Sequence, residues 1–588
     1  MSTHARFVGR VCRNLDAGLG RVPARARLEV ERCFAPTPDR VIVSATGTIP
    51  PGTWVMVESD GLASPVAHPG TARAKIYDLS ARRQLDPVHT EACMAEALKL
   101  AADPGIDDPT LVELRHLPFV TIDEETSRDL DQALCIQRDG DRLVVWYAIA
   151  DAAWFVRPGS ALFDEALVRG ATLYMPGLVV PMLPRILSEG IVSLNPSVDR
   201  RALVFRMVVG PDGALMDAEI LQGRIHSRAK LTYDGVNDWL YADCPLDIDD
   251  ETAASLRLLE VVGRLRIQHA EERDVVRLRR IESAVSMGSG AGLRFVAFAD
   301  ARNDVERYNE QISLLCNMVG ARYLMADTPD HIQPIYRVHP PPSVGRLDAL
   351  RDRIRRILAG RALDPALWEW GEQSLASYLN GLPRGGEAGR LAHAIHRQAM
   401  MINGRSSFTS VPGTHHGVGA DAYARFSAPM REIVGVYVHQ QCIGKLAGAP
   451  PSAPAGDDAI RAQVIAASNR VRQLQRQLDH ETNRMVIDQL FSEDLQFARA
   501  PWRAGTVMGL TRSKIHVQLD NPGIDVKLYR VHLEAWTGQT IRIDDGVRAV
   551  FERGGTLLQL GDPVVVQVLG RDGKRDRWQL VARRHITS

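Results

Sequence analysis

Three aspartates crowd the segment TIDEETSRDLDQAL: Asp123, Asp129 and Asp131, with five residues between the first two and one between the last two. Asp123 ends the apolar, strand-like run LPFVTI, so the acids fall on a turn that leaves a strand. Such a turn gathers hard oxygen donors, which suits magnesium: it prefers octahedral oxygen coordination and keeps waters or substrate phosphate oxygens in the remaining positions. A cation held there activates water and offsets the charge that builds on a phosphodiester under in-line attack. Acidic turns are commonly solvated loops, so the cluster takes its meaning from what surrounds it.

The strands LVVWYAIAD and ALVFRMVV flank the acidic segment, and Tyr308 to Met325 and Leu347 to Leu358 carry helical periodicity. Together they predict one α+β unit of nearly 400 residues. Ahead of it, about Arg27 to Ser80 reads as short strands (RVIVSA, TWVMVES, ARAKIYDLS) broken by Pro and Gly turns, which suits a small OB-type barrel. A connecting helix is expected from Asp86 to Ala102. The stretch LAGAPPSAPAGDD from Leu446 reads as a loop, followed by a long polar helix from Ala459 to about Phe497. From Ala500 five further short strands (GTVMGL, SKIHVQL, VKLYRV, GDPVVVQVLG, RWQLVARR) predict a second OB-type barrel. The expected domains are 1–80, a helical linker 81–114, a catalytic unit 115–498 and a C-terminal barrel 499–588.

Hydrophobic residues at 45% and charged residues at 24% place the chain among globular proteins rather than disordered ones. Lys plus Arg and Asp plus Glu number 71 each, so no net field draws in a polyanion from a distance and any nucleic-acid contact must be local. From Arg499 onward, however, 15 basic residues face 9 acidic ones, and this surplus on a barrel pattern favours RNA binding. Seven scattered cysteines, odd in number and without a CxxC pair, fit reduced thiols better than disulfides or zinc. The N-terminal MSTHARFVGRVCRNLDAG offers no signal-peptide core, and no apolar run reaches membrane-spanning length. The expected location is cytoplasmic, without a membrane partner. His339, His415 and His416 lack helix-borne zinc spacing and read as structural, while Asp151 at the end of WYAIAD reads either as a support behind the metal ligands or as structural.

The acidic segment resembles the signature of the ribonuclease II and ribonuclease R family, and five more segments in the same order extend the likeness from Leu117 to about Leu490. TLYMPGLVVPMLPRILSEGIVSLNP resembles the family's YLPG…IPMLP…LS…SL, and RAKLTYDGV its A-x-LTY-x-x-V. NEQISLLCNMVGARYL is similar to its helix, with Glu310 and Asn317 in register. IYRVHPPP resembles Y-R-x-H-x-x-P, and HHGVGADAYARFSAPMRE resembles H-x-G…Y-x-H-F-T-S-P-I-R-R. GDPVVVQVLGRDGKRDRWQL resembles the closing strands of S1-like RNA-binding domains.

The resemblance implies an RNB-type catalytic domain between OB-type barrels, acting as a monomer on single-stranded RNA. It implies processive hydrolysis from the 3′ end to nucleoside 5′-monophosphates by metal-activated water, with two magnesium ions at turnover. By position, Asp123 is a metal ligand, Asp129 supports the metal or the terminal nucleotide, and Asp131 is the acid on which catalysis chiefly depends. Arg431 corresponds to the arginine at the scissile phosphate, and Tyr174 to the aromatic that stacks on a base near the 3′ end. Three positions depart from the pattern. Gln132 replaces a fourth aspartate and leaves an uncharged amide oxygen for the metal, Arg425 stands where a histidine is usual, and Glu432 where a second arginine is usual. Losing a carboxylate weakens magnesium binding, so the alternative is an RNA-binding protein that keeps the fold but cleaves weakly or not at all.

Overall fold

The computed structural model describes residues 6–16, 25–35, 37, 39–273, 275, 282–288, 294–300, 302–327, 329–448 and 457–585. At the N-terminal end the strands Phe7–Asn14, Ala26–Glu31, Arg40–Ala45, Trp54–Val57 and Leu62–Ala67 form a closed barrel. Alternation builds it: Ala26, Leu28 and Val30 point inward along one strand onto Val11, Val43 and Val55. The expectation of a strand at ARAKIYDLS is wrong. That segment lies in the helix Ala72–Arg82, where Thr71 caps the backbone N–H of Ala74 after the turn His68-Pro69-Gly70. Ala72, Ile76 and Leu79 fall on one helical face and are buried against Leu173, Leu178 and Val180, so capping and a partner surface override the strand-like composition. The connecting helix is Glu91–Leu100, inside the expected span.

The large α+β unit is built on a sheet whose hydrogen bonding returns on itself. Leu215–Thr232 is long enough to pair antiparallel with Asp199–Val209 along its first part and parallel with Phe119–Asp123 along its last. Gln132–Asp139 and Arg142–Ala150 complete the circuit between them. Its apolar strands are buried along nearly their whole length, and Asp304–Met325 and Ile433–Leu446 pack against it in one core. The first of these helices begins at Asp304 because Asn303 and Glu306 form a reciprocal capping box. The second carries no signal that the sequence reading used.

Asp151 turns out to be structural. It caps Trp154 N–H at 3.2 Å and accepts from Arg201 Nε at 2.8 Å, with both residues almost fully enclosed. Arg201 also donates to the Gly105 carbonyl at 2.6 Å and lies over the Trp154 ring at 4.6 Å. Likewise His439 on Ile433–Leu446, wholly buried, donates from Nε2 to the Phe426 carbonyl at 2.9 Å.

The Pro- and Ala-rich stretch expected as a loop falls largely at 449–456, outside the described residues. Helix Asp457–Asp494 then runs to the C-terminal sheet, in which the five expected strands appear as Asp525–Tyr529, Lys514–Leu519, Arg503–Thr511, Pro563–Asp572 and Arg577–Arg584, in that spatial order. A helix, Arg530–Thr537, and a three-stranded sheet over 541–559 are inserted within it. Leu350, Ile354 and Ile395 share one core with Val507, Leu510 and Val566, so the sheet is packed onto the catalytic unit rather than tethered to it. Among the described residues no helix is long and apolar enough to cross a membrane.

Two stability effects follow. Arg201→Met strands the Asp151 carboxylate in the core and is expected to cost about 3–5 kcal/mol in urea unfolding; a loss below about 1 kcal/mol would refute the pairing argument. For His439, burial pushes the imidazole down to about 4, against roughly 6.5 in the unfolded chain. The neutral ring therefore stabilises the fold fully above pH 6.5, and that contribution is lost as pH falls toward 4. Over that window His439→Gln, which keeps a donor for Phe426, is expected to blunt the acid destabilisation by about 3 kcal/mol.

Candidate active site

The acidic turn between Phe119–Asp123 and Gln132–Asp139 is held at several points. Lys230 Nζ, on the strand beside Asp123, donates to the carbonyls of Glu125 (2.8 Å) and Ser127 (2.5 Å). Ser193 Oγ accepts from Leu130 N–H at 3.0 Å and donates to the Arg128 carbonyl at 2.8 Å. Glu124 N–H and Ser127 Oγ both donate to Asp123 Oδ1, at 2.8 and 2.9 Å. The turn is thus preorganised before any ligand arrives.

Asp131 is 1% exposed, and both of its oxygens are engaged by a loop about 300 residues away. Met430 N–H donates to Oδ1 at 3.0 Å and Arg431 Nε to Oδ2 at 2.6 Å. Asn317, fully buried in helix Asp304–Met325, sets the loop: its Oδ1 accepts from Phe426 N–H (2.7 Å) and Ser427 N–H (3.1 Å), and its Nδ2 donates to Tyr423 Oη and Ser427 Oγ, both at 3.0 Å. The site residues Asp131 and Arg431 are therefore brought into direct contact. Asp123 and Asp129 stand close enough to act on Arg431 electrostatically.

Tyr174 lies on the hairpin Leu173–Met175 and Leu178–Val180, turned at Gly177, whose φ of 69° suits glycine. Gln475 of the long helix holds the tyrosine backbone from both sides, accepting from its N–H at 3.1 Å and donating to its carbonyl at 2.9 Å. The residue as a whole remains 46% exposed. Burial of the hydroxyl pushes the phenol up to about 12, while Arg431, within hydrogen-bonding reach, pulls the other way. Arg431 thus stands between Tyr174 and the acids.

Burial pushes Asp131 up to about 6 despite Arg431, and raises Asp129 by the same cause. Arg431 is driven firmly into its charged form, chiefly by Asp131. Three of the four expected donors are carboxylates and the fourth an amide oxygen, an all-oxygen set that fits a hard divalent cation: both hydrogen bonds to Asp123 fall on Oδ1, and Asp129 accepts from its own backbone N–H. Among the described residues no three acidic, His or Cys side chains converge as a ready metal cage, and Asp131 is turned onto Arg431 and Met430.

The three departures from the family pattern all have partners. Gln132 Nε2 donates to the Ser427 carbonyl, and its Oε1 accepts from the buried Tyr147 hydroxyl. Arg425 Nε donates to Glu432 Oε1 at 2.9 Å. Burial works against ionisation of Glu432, yet Arg425 and Arg337 hold its carboxyl below the usual carboxylate range. The sequence reading missed Asn317 and Tyr147 as supports of the site, and the Arg425–Glu432 pair as a unit. Asn317 lay inside a matched segment, and the opposite charges at 425 and 432 were the signal for the pair. Glu310 stands apart, paired with Arg302 at 3.0 Å. His339 has both ring nitrogens bonded to backbone, at Gly404 and Gly417, and packs edge-on against His415.

Known proteins resemble the chain in sequence and in fold. The chain is 30% identical over 472 residues to ribonuclease R of Vibrio cholerae, covering 78% of this chain and 55% of the relative. It is 31% identical over 371 residues to exoribonuclease 2 of Cronobacter sakazakii, covering 62% and 55%. The chain thus spans about half the length of these curated relatives. Among solved structures, Mycoplasma genitalium RNase R in complex with ribose-methylated single-stranded RNA superimposes with a TM-score of 0.78 at 18% identity, covering 98% of this chain and 89% of that one. With a model of the RNB domain matching residues 111–446, more than half of the sequence, the chain belongs to the RNB-domain family.

Proposed function

We propose that this chain is a 3′-to-5′ exoribonuclease that hydrolyses single-stranded RNA processively to nucleoside 5′-monophosphates, acting as a cytoplasmic monomer. The observation that carries this reading is the placement of the Arg431 guanidinium between the buried Asp131 carboxylate and the exposed face of Tyr174. Tyr174 stacks on a base near the 3′ end, which tolerates any sequence because every base has a π-face. Arg431, permanently charged, clamps oxygens of the scissile phosphate and offsets the charge that develops there. Asp131 fixes the guanidinium through Nε, so that its terminal nitrogens, beside the Tyr174 hydroxyl, are the part offered to the phosphate.

Asp123, Asp129 and Asp131, with the Gln132 amide oxygen as a neutral fourth donor, would hold magnesium, two ions at turnover. The metal supplies water activation and charge neutralisation when bound. The basic C-terminal sheet is assigned the S1-like role of gripping the incoming strand, and the N-terminal barrel a similar one. A groove of about 1190 Å³ supports this path, running from Tyr174 along the long helix to Lys527, Tyr529, Arg577 and Trp578 of that sheet. The other reading, an RNA-binding protein with little turnover, draws on Gln132, whose amide is already committed to Tyr147 and Ser427.

Incubation of 5′-labelled single-stranded RNA with magnesium is expected to give shortening from the 3′ end that chelator abolishes and that Asp131→Asn lowers by about a thousandfold or more. Intact RNA that is nonetheless retarded on a gel would establish the binding-protein reading instead. Gln132→Asp adds a carboxylate to the metal set and removes the donor to the Ser427 carbonyl. Half-saturating magnesium is expected to fall about threefold or more, while stability drops by about 1–3 kcal/mol in urea unfolding. An unchanged magnesium requirement would remove position 132 from the metal set.

A further inference from the structure

Beyond Arg431, two arginines converge on a single serine. Arg337, on the short strand Tyr336–Val338, donates from Nε and Nη2 to Ser406 Oγ at 3.4 and 3.3 Å. Arg472, on the long helix, donates from Nη2 to the same Oγ at 3.0 Å and from Nη1 to the Ser406 carbonyl at 3.1 Å. Both guanidinium groups lie over the ring of Phe408, at 6.0 and 5.5 Å. A hydroxyl and one carbonyl are meagre acceptors for two forks of five N–H donors each. Among the described residues neither arginine is ion-paired. The neighbouring acid, Glu432, hydrogen-bonds Arg425 and reaches Arg337 and Arg472 only through its field, and Asp131 is bonded to Arg431. Burial and the mutual repulsion of these groups weaken the hold of Arg472 on its proton, down to about 10.

We infer that Arg337, Arg472 and Ser406 form an anion subsite for a backbone phosphate of the RNA strand, among the last few linkages at its 3′ end. Its place in the fold ties it to the elements that carry the proposed RNA site. Arg472 precedes Gln475, the residue that grips Tyr174, by one helical turn. Arg337 N–H is bonded to the Tyr423 carbonyl at 2.8 Å, at the start of the loop that carries Arg431. The subsite and the catalytic arginine are therefore fixed to the same two elements, and a phosphate held at one sets the register of the strand at the other. Stacking on Phe408 keeps both forks flat, which suits bidentate contact with phosphate oxygens.

This inference rests on the exoribonuclease reading for its ligand, and binding measured in chelator, without turnover, separates the two. Single-stranded RNAs carrying one neutral methylphosphonate at a time along the 3′ end are titrated against the wild type, Arg472→Met and Arg337→Met, with Arg472→Lys as a charge-keeping control and inorganic phosphate as competitor. One linkage is expected to weaken wild-type binding about tenfold when neutralised. That same linkage should cease to matter in either Met variant. The slope of log affinity against log salt should fall by about 0.7 in those variants, with Arg472→Lys keeping the slope but only part of the affinity. Equal methylphosphonate profiles in wild type and variants, with RNA still bound, would overturn the subsite alone. Failure of the wild type to bind RNA would overturn the functional reading together with it, and inorganic phosphate binding without any linkage effect would reassign the site to a free anion.

Discussion

A carboxylate as enclosed as Asp131 is tolerable only where charge and hydrogen bonds meet it, since an uncompensated buried charge costs several kcal/mol. Arg431 and Met430 N–H supply that compensation from the far end of the catalytic unit, and much of the surrounding structure follows from the need to deliver them. The loop must approach the sheet to within one side chain, so its backbone N–H groups at Phe426 and Ser427 are taken by Asn317 and its carbonyls at Phe426 and Ser427 by His439 and Gln132. On the sheet side, the Asp131 carbonyl accepts from Ala150 N–H at 2.8 Å, which ties the acid to the strand preceding Asp151. The pair is buried because two long-range elements are pinned around it, and it defines where they meet.

Strand and helix positions near the site were largely legible because they are governed by local periodicity. Arg142–Ala150, Asp199–Val209 and Asp304–Met325 appear where apolar runs and helical spacing put them. Ala72–Arg82 was misread because ARAKIYDLS has strand-like composition. Only the Thr71 cap and the partner surface from Leu173 to Val180 decide for helix. The C-terminal sheet was legible strand by strand, while its inserted sheet over 541–559 and the core it shares with Leu350 and Ile395 were not. Both depend on contacts across long sequence separations.

For the site itself, motif position gave the identities of Asp131 and Arg431, and no local rule gave their contact. Gln132 shows the limit more sharply. As a sequence position it is a missing acid. In three dimensions it is a donor to Ser427 and an acceptor from Tyr147, the one 295 residues away and the other on the neighbouring strand. An aspartate has no proton to give the Ser427 carbonyl, so an amide here serves the loop in a way that a carboxylate cannot.

The three departures also balance as charges. Relative to the family pattern, Gln132 removes one negative charge, Arg425 adds a positive one where a neutral histidine is usual, and Glu432 exchanges a positive for a negative. Together they cancel. Arg425 and Glu432 discharge each other at 2.9 Å, so the loop gains an internal tie without adding to the field on the phosphate path. With that pair closed, Arg337 and Arg472 are cations near the loop without a direct ion pair among the described residues, held in check by the field of Glu432. The changes at 132, 425 and 432 thus shift charge from the acidic turn to the loop and leave the sum unchanged.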